Sequence, residues 1–290
     1  MAIALRERKP SAISLGLRGR KAPNLIGGIL GWLWLAITIL PIYYIVVTSL
    51  RPRAEYFSAN PLSIPTAPTL AAYGQVLKAD FATYFLNSVI VTGVSVAVAV
   101  FVCLLAAYVI VRNPSRFSRR FFDALLLGIA IPLQGVIIPV YYLIVQLGLY
   151  DTLWALILPS IAFAIPITVL ILVNFLRDVP GELFESMTVD GASPWRMLWS
   201  LAVPLARPAI ITVAIYDALN VWNGFLFPLI LTQSAGERVL PLSLWSFQGA
   251  FTVNVPAVLA AVVLSVLPLL VAYAVGRRQL VSGLTAGFSK

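Results

Sequence analysis

The chain has 290 residues, 60% of them hydrophobic and only 11% charged, with a mean hydropathy of +0.95 and a formal charge of +9. A soluble domain of this length would carry roughly twice that charged fraction, so the composition excludes one and predicts a polytopic membrane protein. With no histidine and one cysteine, Cys103, the chain by itself cannot supply a disulfide framework, a zinc or haem centre, or histidine general-base chemistry.

Residues 1–24 form a basic tail. The apolar run from Leu25 to Leu50 is too long for the core of a secretory signal, and no small-residue cleavage site follows it, so it is expected to remain as a membrane anchor. Residues 51–84 are rich in proline ("NPLSIPTAPTL") and predict one short helix, "LAAYGQVL". Further apolar runs lie at about 85–111, 121–147, 152–176, 209–232 and 256–276, each long enough to cross ~30 Å of hydrocarbon as helix. Residues 277–290 close the chain as a second tail. Backbone groups in lipid must bond within their own segment, so the expected fold is an all-α polytopic bundle of six transmembrane helices. Pro41, Pro132, Pro139, Pro166, Pro228 and Pro268 fall inside these runs and predict kinks. No internal repeat is visible, which argues against two inverted halves.

The basic residues orient the bundle. With the N-terminus inside, sixteen of twenty are cytoplasmic: Arg6, Arg8, Lys9, Arg18, Arg20, Lys21, Arg112, Arg116, Arg119, Arg120, Arg177, Arg196, Arg207, Arg277, Arg278 and Lys290. Only Arg51, Arg53, Lys78 and Arg238 fall outside. This bias predicts cytoplasmic termini, and it accounts for the net charge without a nucleic-acid partner.

Residues 177–208 then form a cytoplasmic loop of mixed charge. Pro180 can open a helix, Glu182 lies near its positive end, and Gly191 after Asp190 reads as its stop. Ser193-Pro194 repeats the start signal for a second helix to about Val203, which Pro204 and Pro208 are expected to break before the fifth span. Leu183 and Met187, one turn apart with Phe184 alongside, make an apolar stripe that something must cover. Periodicity leaves two covers open: the bilayer or bundle itself, and a groove on a soluble partner.

The run "ESMTVDGASPWRMLWSLAVP" resembles the EAA loop of bacterial ABC importer permeases, with Glu185, Gly191, Leu201, Val203 and Pro204 on that pattern's fixed positions. "VDGAS" and "VPLARP" are similar to its carbohydrate branch, in the six-span subunit type of the maltose permease partner. "TSLRPRAEYF", "FLNSVIVT", "AAYVIVR", "IIPVYYLIVQLGLYDT", "WNGFLFPL", "LPLSLWSF" and "GLTAGFSK" extend the likeness over nearly the whole chain. Ser186 and Met187 replace the usual two alanines, Gly224 replaces an acid after Trp-Asn, and "GFSK" replaces the usual ending.

The resemblance implies the type I importer permease fold and a multi-pass subunit of the bacterial cytoplasmic membrane, working by alternating access. Its partners would be a second permease in a heterodimer, an ABC ATPase dimer, an extracellular solute-binding protein and the sugar, a di- or oligosaccharide. Leu183, Phe184, Glu185, Ser186, Met187, Asp190 and Gly191 would couple it to the ATPase, an apolar plug giving area and Glu185 an oriented charge. The chain has no "GxxxxGK[ST]" phosphate loop, so ATP and Mg would be bound by that partner and no cofactor by this chain.

On the fifth span, Asp217, Asn220 and Asn223 recur at offsets of three and are expected roughly on one side. An ionisable group at membrane depth points either to the transport path or to bonding between helices. Tyr216, Trp222 and Phe225 could stack on sugar or simply pack; Asn87 and Gln134 are further polar candidates. Asp217 lies seven residues before Gly224, on nearly the same helical face, as if the usual acid had moved two turns along. Asp217→Asn is therefore expected to impair uptake or assembly far more than Asp151→Asn in an outer connection. Two other classes compete. A secondary carrier would want repeats and more buried acids, and a polytopic membrane enzyme would want paired carboxylates or a metal set.

Overall fold

The computed structural model describes residues 25–247 and 253–286. The tail of residues 1–24 and the last four residues, on which the expected cytoplasmic termini fall, lie outside them. The chain divides into two units between Tyr43 and Tyr44. The first contains α1 (Leu25–Ser49) as far as Tyr43, and the second contains everything that follows.

The second unit is mainly helical, with α2 (Ala71–Lys78) where "LAAYGQVL" predicted it. Its centre is α3 (Phe81–Arg112), which packs along α6 (Trp154–Arg177) and α9 (Val203–Trp222). Small side chains allow the approach. Ala99, Cys103 and Ala107 of α3, Ala202 just before α9 and Ala206 and Ala209 near its start are buried, and lipid supplies no hydrophobic drive for helices that pack this closely. Ser95 adds a hydroxyl bond to the Ile157 carbonyl across the α3–α6 seam at 3.4 Å. A second seam joins α2 to α12 (Val255–Ala286) through Ala72, Val76, Ala257, Ala260 and Ala261. The helix α12 runs ten residues past the expected boundary at 276.

The run at 121–147 departs from a kinked span. It folds as α4 (Arg116–Leu127), a short 3-10 turn (Gly128–Ala130) and α5 (Leu133–Gln146), with a bend of 105° between its two arms. Pro132 makes the break: it forces Ile131 into extended backbone (φ −84°, ψ 111°) and cannot donate back into the preceding turn. Gly128 sits against α6, where a Cβ would come within 2.7 Å of the Pro166 ring, so only glycine allows that corner to close.

The fifth run departs in the opposite sense. Pro204 and Pro208 do not break the chain; α8 (Pro194–Met197) continues through a π turn (Leu198–Ala202) into α9. The wide turn draws the carbonyl four residues before Pro204 off the normal helical position, relieving the clash that a proline ring otherwise causes. The break comes later, at residues 223–225, before the short α10 (Leu226–Leu231). Among the described residues, four helices are long and apolar enough to span a membrane: α1, α3, α6 and the continuous stretch Pro194–Trp222. The bent pair makes a fifth if its arms count as one span, and Val255–Val271 is a shorter apolar stretch.

Candidate functional site

Two regions hold the predicted site residues. The first lies at the basic end, where α3 and α6 finish. Here α7 (Gly181–Val189) follows Pro180, and Ser193 caps α8 by accepting from the Arg196 N–H. Gly191 joins the two helices at φ +76°, a left-handed conformation that a side chain would strain.

The structure corrects one part of the expected plug. Phe184 is 2% exposed and faces the bundle. Its ring lies 6.4 Å from that of Tyr108 and 4.3 Å beneath the Arg112 guanidinium, and the Tyr108 hydroxyl donates to the Pro194 carbonyl at 3.0 Å. Half-buried Met187 turns the same way, into the same core. The reason is helical phase: residues 184 and 187 share one side of α7, and the side chains of Tyr108, Arg112 and Met197 already cover it. Leu183 stands at the rim, and Glu182, Glu185 and Ser186 point outward. Asp190 is exposed beside the glycine turn. At the C-terminal end of the outward face is Val189, 88% exposed, which fell outside the 183/187 stripe expected from sequence. An apolar side chain that exposed, between two acids on a helix end, was the signal available.

The second region is a cavity of 370 Å³ inside the bundle, walled by α3, α6, α9 and α10. Tyr216, Asp217, Asn220 and Trp222 all reach it, together with Gly224 and Phe225. Asp217 is 2% exposed and accepts from the Thr168 hydroxyl of α6 at 2.8 Å. Asn220 donates to the Tyr216 carbonyl, which leaves its amide oxygen as the acceptor on offer. Thr92 of α3 also lines the cavity, and its buried hydroxyl has no protein partner. Carboxyl, amide and hydroxyl groups among aromatic rings are the groups that recognise a polyol with apolar faces.

Asn223 does not join them. It lies on a neighbouring cavity between α9 and α12, and its amide donates to Leu219 at the helix end. Six residues turn a helix by roughly 240°, so offsets of three drift off a common side by the second step. The extrapolation from Asp217 to Gly224 along one face also fails, because α9 ends at Trp222. The two still line the same cavity, and a Cβ at 224 would sit 3.0 Å from the Val221 carbonyl. Trp222 is mainly an anchor: its indole N–H donates to Ser265 of α12 and its ring meets Phe85 edge-on at 6.0 Å. Asn87 is bound to the carbonyls of Gly236 and Arg238, so it holds a loop in place, and Gln134 is exposed just after the bend.

Asp151 is not an idle acid. It adopts φ +59° and accepts from the Gln233 and Ser234 N–H groups at 2.7 and 2.9 Å and from the Ser234 hydroxyl. The Ser234 hydroxyl first, and then the two N–H groups, hold its carboxyl below the usual range. Because the folded pKa is depressed, this tie is in place above the unfolded value of about 3.9 and is lost as pH falls through the folded one. Hydrogen exchange should therefore show protection of residues 231–238 declining from about pH 4 downward. Asp151→Ala should remove that protection at neutral pH, and unchanged exchange would refute the latch. Asp151→Asn cannot serve as the silent comparison for Asp217.

Residues 99–280 match the family described as binding-protein-dependent transport system inner membrane component. A Caldicellulosiruptor protein, named as an ABC transporter permease, is 37% identical over 89% of this chain and 94% of its own length. The diacetylchitobiose uptake system permease of Streptomyces coelicolor is 31% identical over 88% of this chain and 85% of its own. In fold, the chain is similar to a subunit of a bacterial ABC transporter that imports the acidic polysaccharide alginate. The TM-score is 0.77 at 23% identity, over 89% of this chain and 98% of that one.

Proposed function

We infer the function from one premise: the chain belongs to the binding-protein-dependent transport system inner membrane component family. It is a membrane-integral permease subunit of a sugar ABC importer. The finer assignments are proposals. A second permease completes the translocation path, and an ATPase dimer that binds ATP and Mg docks on α7. A solute-binding protein delivers a di- or oligosaccharide at the opposite end. The basic end and both termini are cytoplasmic, the first, bent, fifth and last runs serve as spans in addition to α3 and α6, and Tyr216, Asp217 and Asn220 line the sugar's route.

The geometry of α7 carries the coupling assignment. One side is seated in the bundle by Phe184, so a push or pull on the other side reaches α3 and α8 directly. That outer side presents Val189 and Leu183 for apolar contact and Glu185 for a donor on the partner. Glu185→Lys reverses the charge on this face without touching the anchor. Gly191→Pro demands a φ near −65° where the turn has +76°. In the reconstituted complex both should assemble, yet ATP hydrolysis should no longer rise on adding sugar-loaded binding protein. Full stimulation in both variants would overturn the coupling role.

A further inference from the structure

The helix α4 divides its surface three ways. Ser118 and Phe122 are buried against the bundle, with the Arg177 guanidinium of α6 stacked 5.2 Å over the Phe122 ring. A quarter-turn away, Phe117 and Phe121 stack at 6.2 Å with their planes 12° apart, and Phe117 is 78% exposed. On the remaining arc stand Arg116, Arg119 and Arg120, all exposed, with Asp123 as the helix's single acid. Among the described residues none of the three arginines is paired with an acid. Ser115 caps its N-terminus by accepting from the Ser118 N–H at 3.0 Å, and beyond its other end the chain bends at Pro132.

This arrangement suits a helix lying in the plane of a membrane interface. The bent connection lets α4 lie along the interface while α5, 14 residues long, runs into the membrane, and the aromatic pair can dip among acyl chains. The three guanidiniums then stand at headgroup level, where their planar forks match phosphate oxygens. We propose that α4 is a binding site for anionic phospholipid headgroups, with Phe117 and Phe121 seated beside the acyl chains of the lipids that the arginines hold. The net charge of this arc, three cations against one acid, favours an anionic lipid over a zwitterionic one. A groove on a protein partner would instead require the stacked rings to be covered by polypeptide. The proposal rests on the cytoplasmic placement of this end but not on the sugar assignment.

The test places p-benzoylphenylalanine at Phe117 of the full importer complex, in nanodiscs of equal parts phosphatidylglycerol and phosphatidylcholine. Photolysis should give lipid adducts with at least a roughly threefold preference for phosphatidylglycerol. That preference should disappear in Arg116→Gln/Arg119→Gln/Arg120→Gln and weaken in high salt. Adducts with another polypeptide, or lipid adducts without preference, would overturn the site. Labelling of Asn113→Cys by an impermeant thiol reagent in vesicles of each sidedness reports orientation separately. Failure there would move the site to the other leaflet and refute the inner-leaflet location.

Discussion

Phe184→Ala is expected to uncouple the importer while leaving it assembled. The ring is the one fully buried side chain of α7, and its removal leaves a void beneath Arg112 and beside Tyr108. Truncating a buried phenylalanine costs about 3–5 kcal/mol, and here the loss falls on a nine-residue helix of which it is the one buried side chain. The helix should therefore unseat locally, with exchange over residues 181–189 rising by an order of magnitude or more. ATP hydrolysis stimulated by loaded binding protein should fall to the basal rate, and uptake at least about tenfold. Phe184→Tyr, which keeps the ring, should retain most of both. If Phe184→Ala transports and hydrolyses normally, the seat of α7 is not part of the coupling path.

The second large effect concerns Asp217. Its carboxyl ties α9 to α6 through Thr168, so two roles must be separated: a structural bond and a group facing the cavity. Asp217→Asn keeps volume and an oxygen for the Thr168 hydroxyl but removes the acid. Asp217→Leu leaves that buried hydroxyl without a partner, at about 1–3 kcal/mol. If the carboxyl meets the sugar, Asp217→Asn should reduce uptake about tenfold with assembly and thermal stability intact, and Asp217→Leu should lose both. Uptake assays in proteoliposomes, alongside melting of the purified complex, read the difference. Normal uptake by Asp217→Asn would leave only the structural role.

Rules that need only a local reach along the chain carried well from sequence to structure. Apolar length and a low charged fraction are enough to identify an all-α membrane bundle. The Ser193 cap, the Gly191 stop and the short helix at 71–78 depend on groups within four residues of one another, so they too were legible. The motif spacing around Glu185 named the family before any contact was known, because the loop keeps its length between two helices.

Tertiary structure decided the rest, because each remaining question turns on a distant partner. Whether a proline bends, breaks or rides in a helix depends on its surroundings: Pro132 turns the chain through 105°, whereas Pro204 follows a π turn and interrupts nothing. Phe184 and Leu183 are both apolar neighbours on one short helix, and only the position of Tyr108 and Arg112, over seventy residues earlier, sends one inward and leaves the other at the rim. Asp151 looked idle until the loop at 233–234 came back to meet it. Asp217 and Asn223 were expected on one side, but the helical repeat turns the second well away from the first, and packing places them on different cavities. Sequence by itself determined the class of molecule and its local stops and starts; which face of each helix meets protein, cavity or lipid was settled by packing over long separations, where periodicity carries no phase.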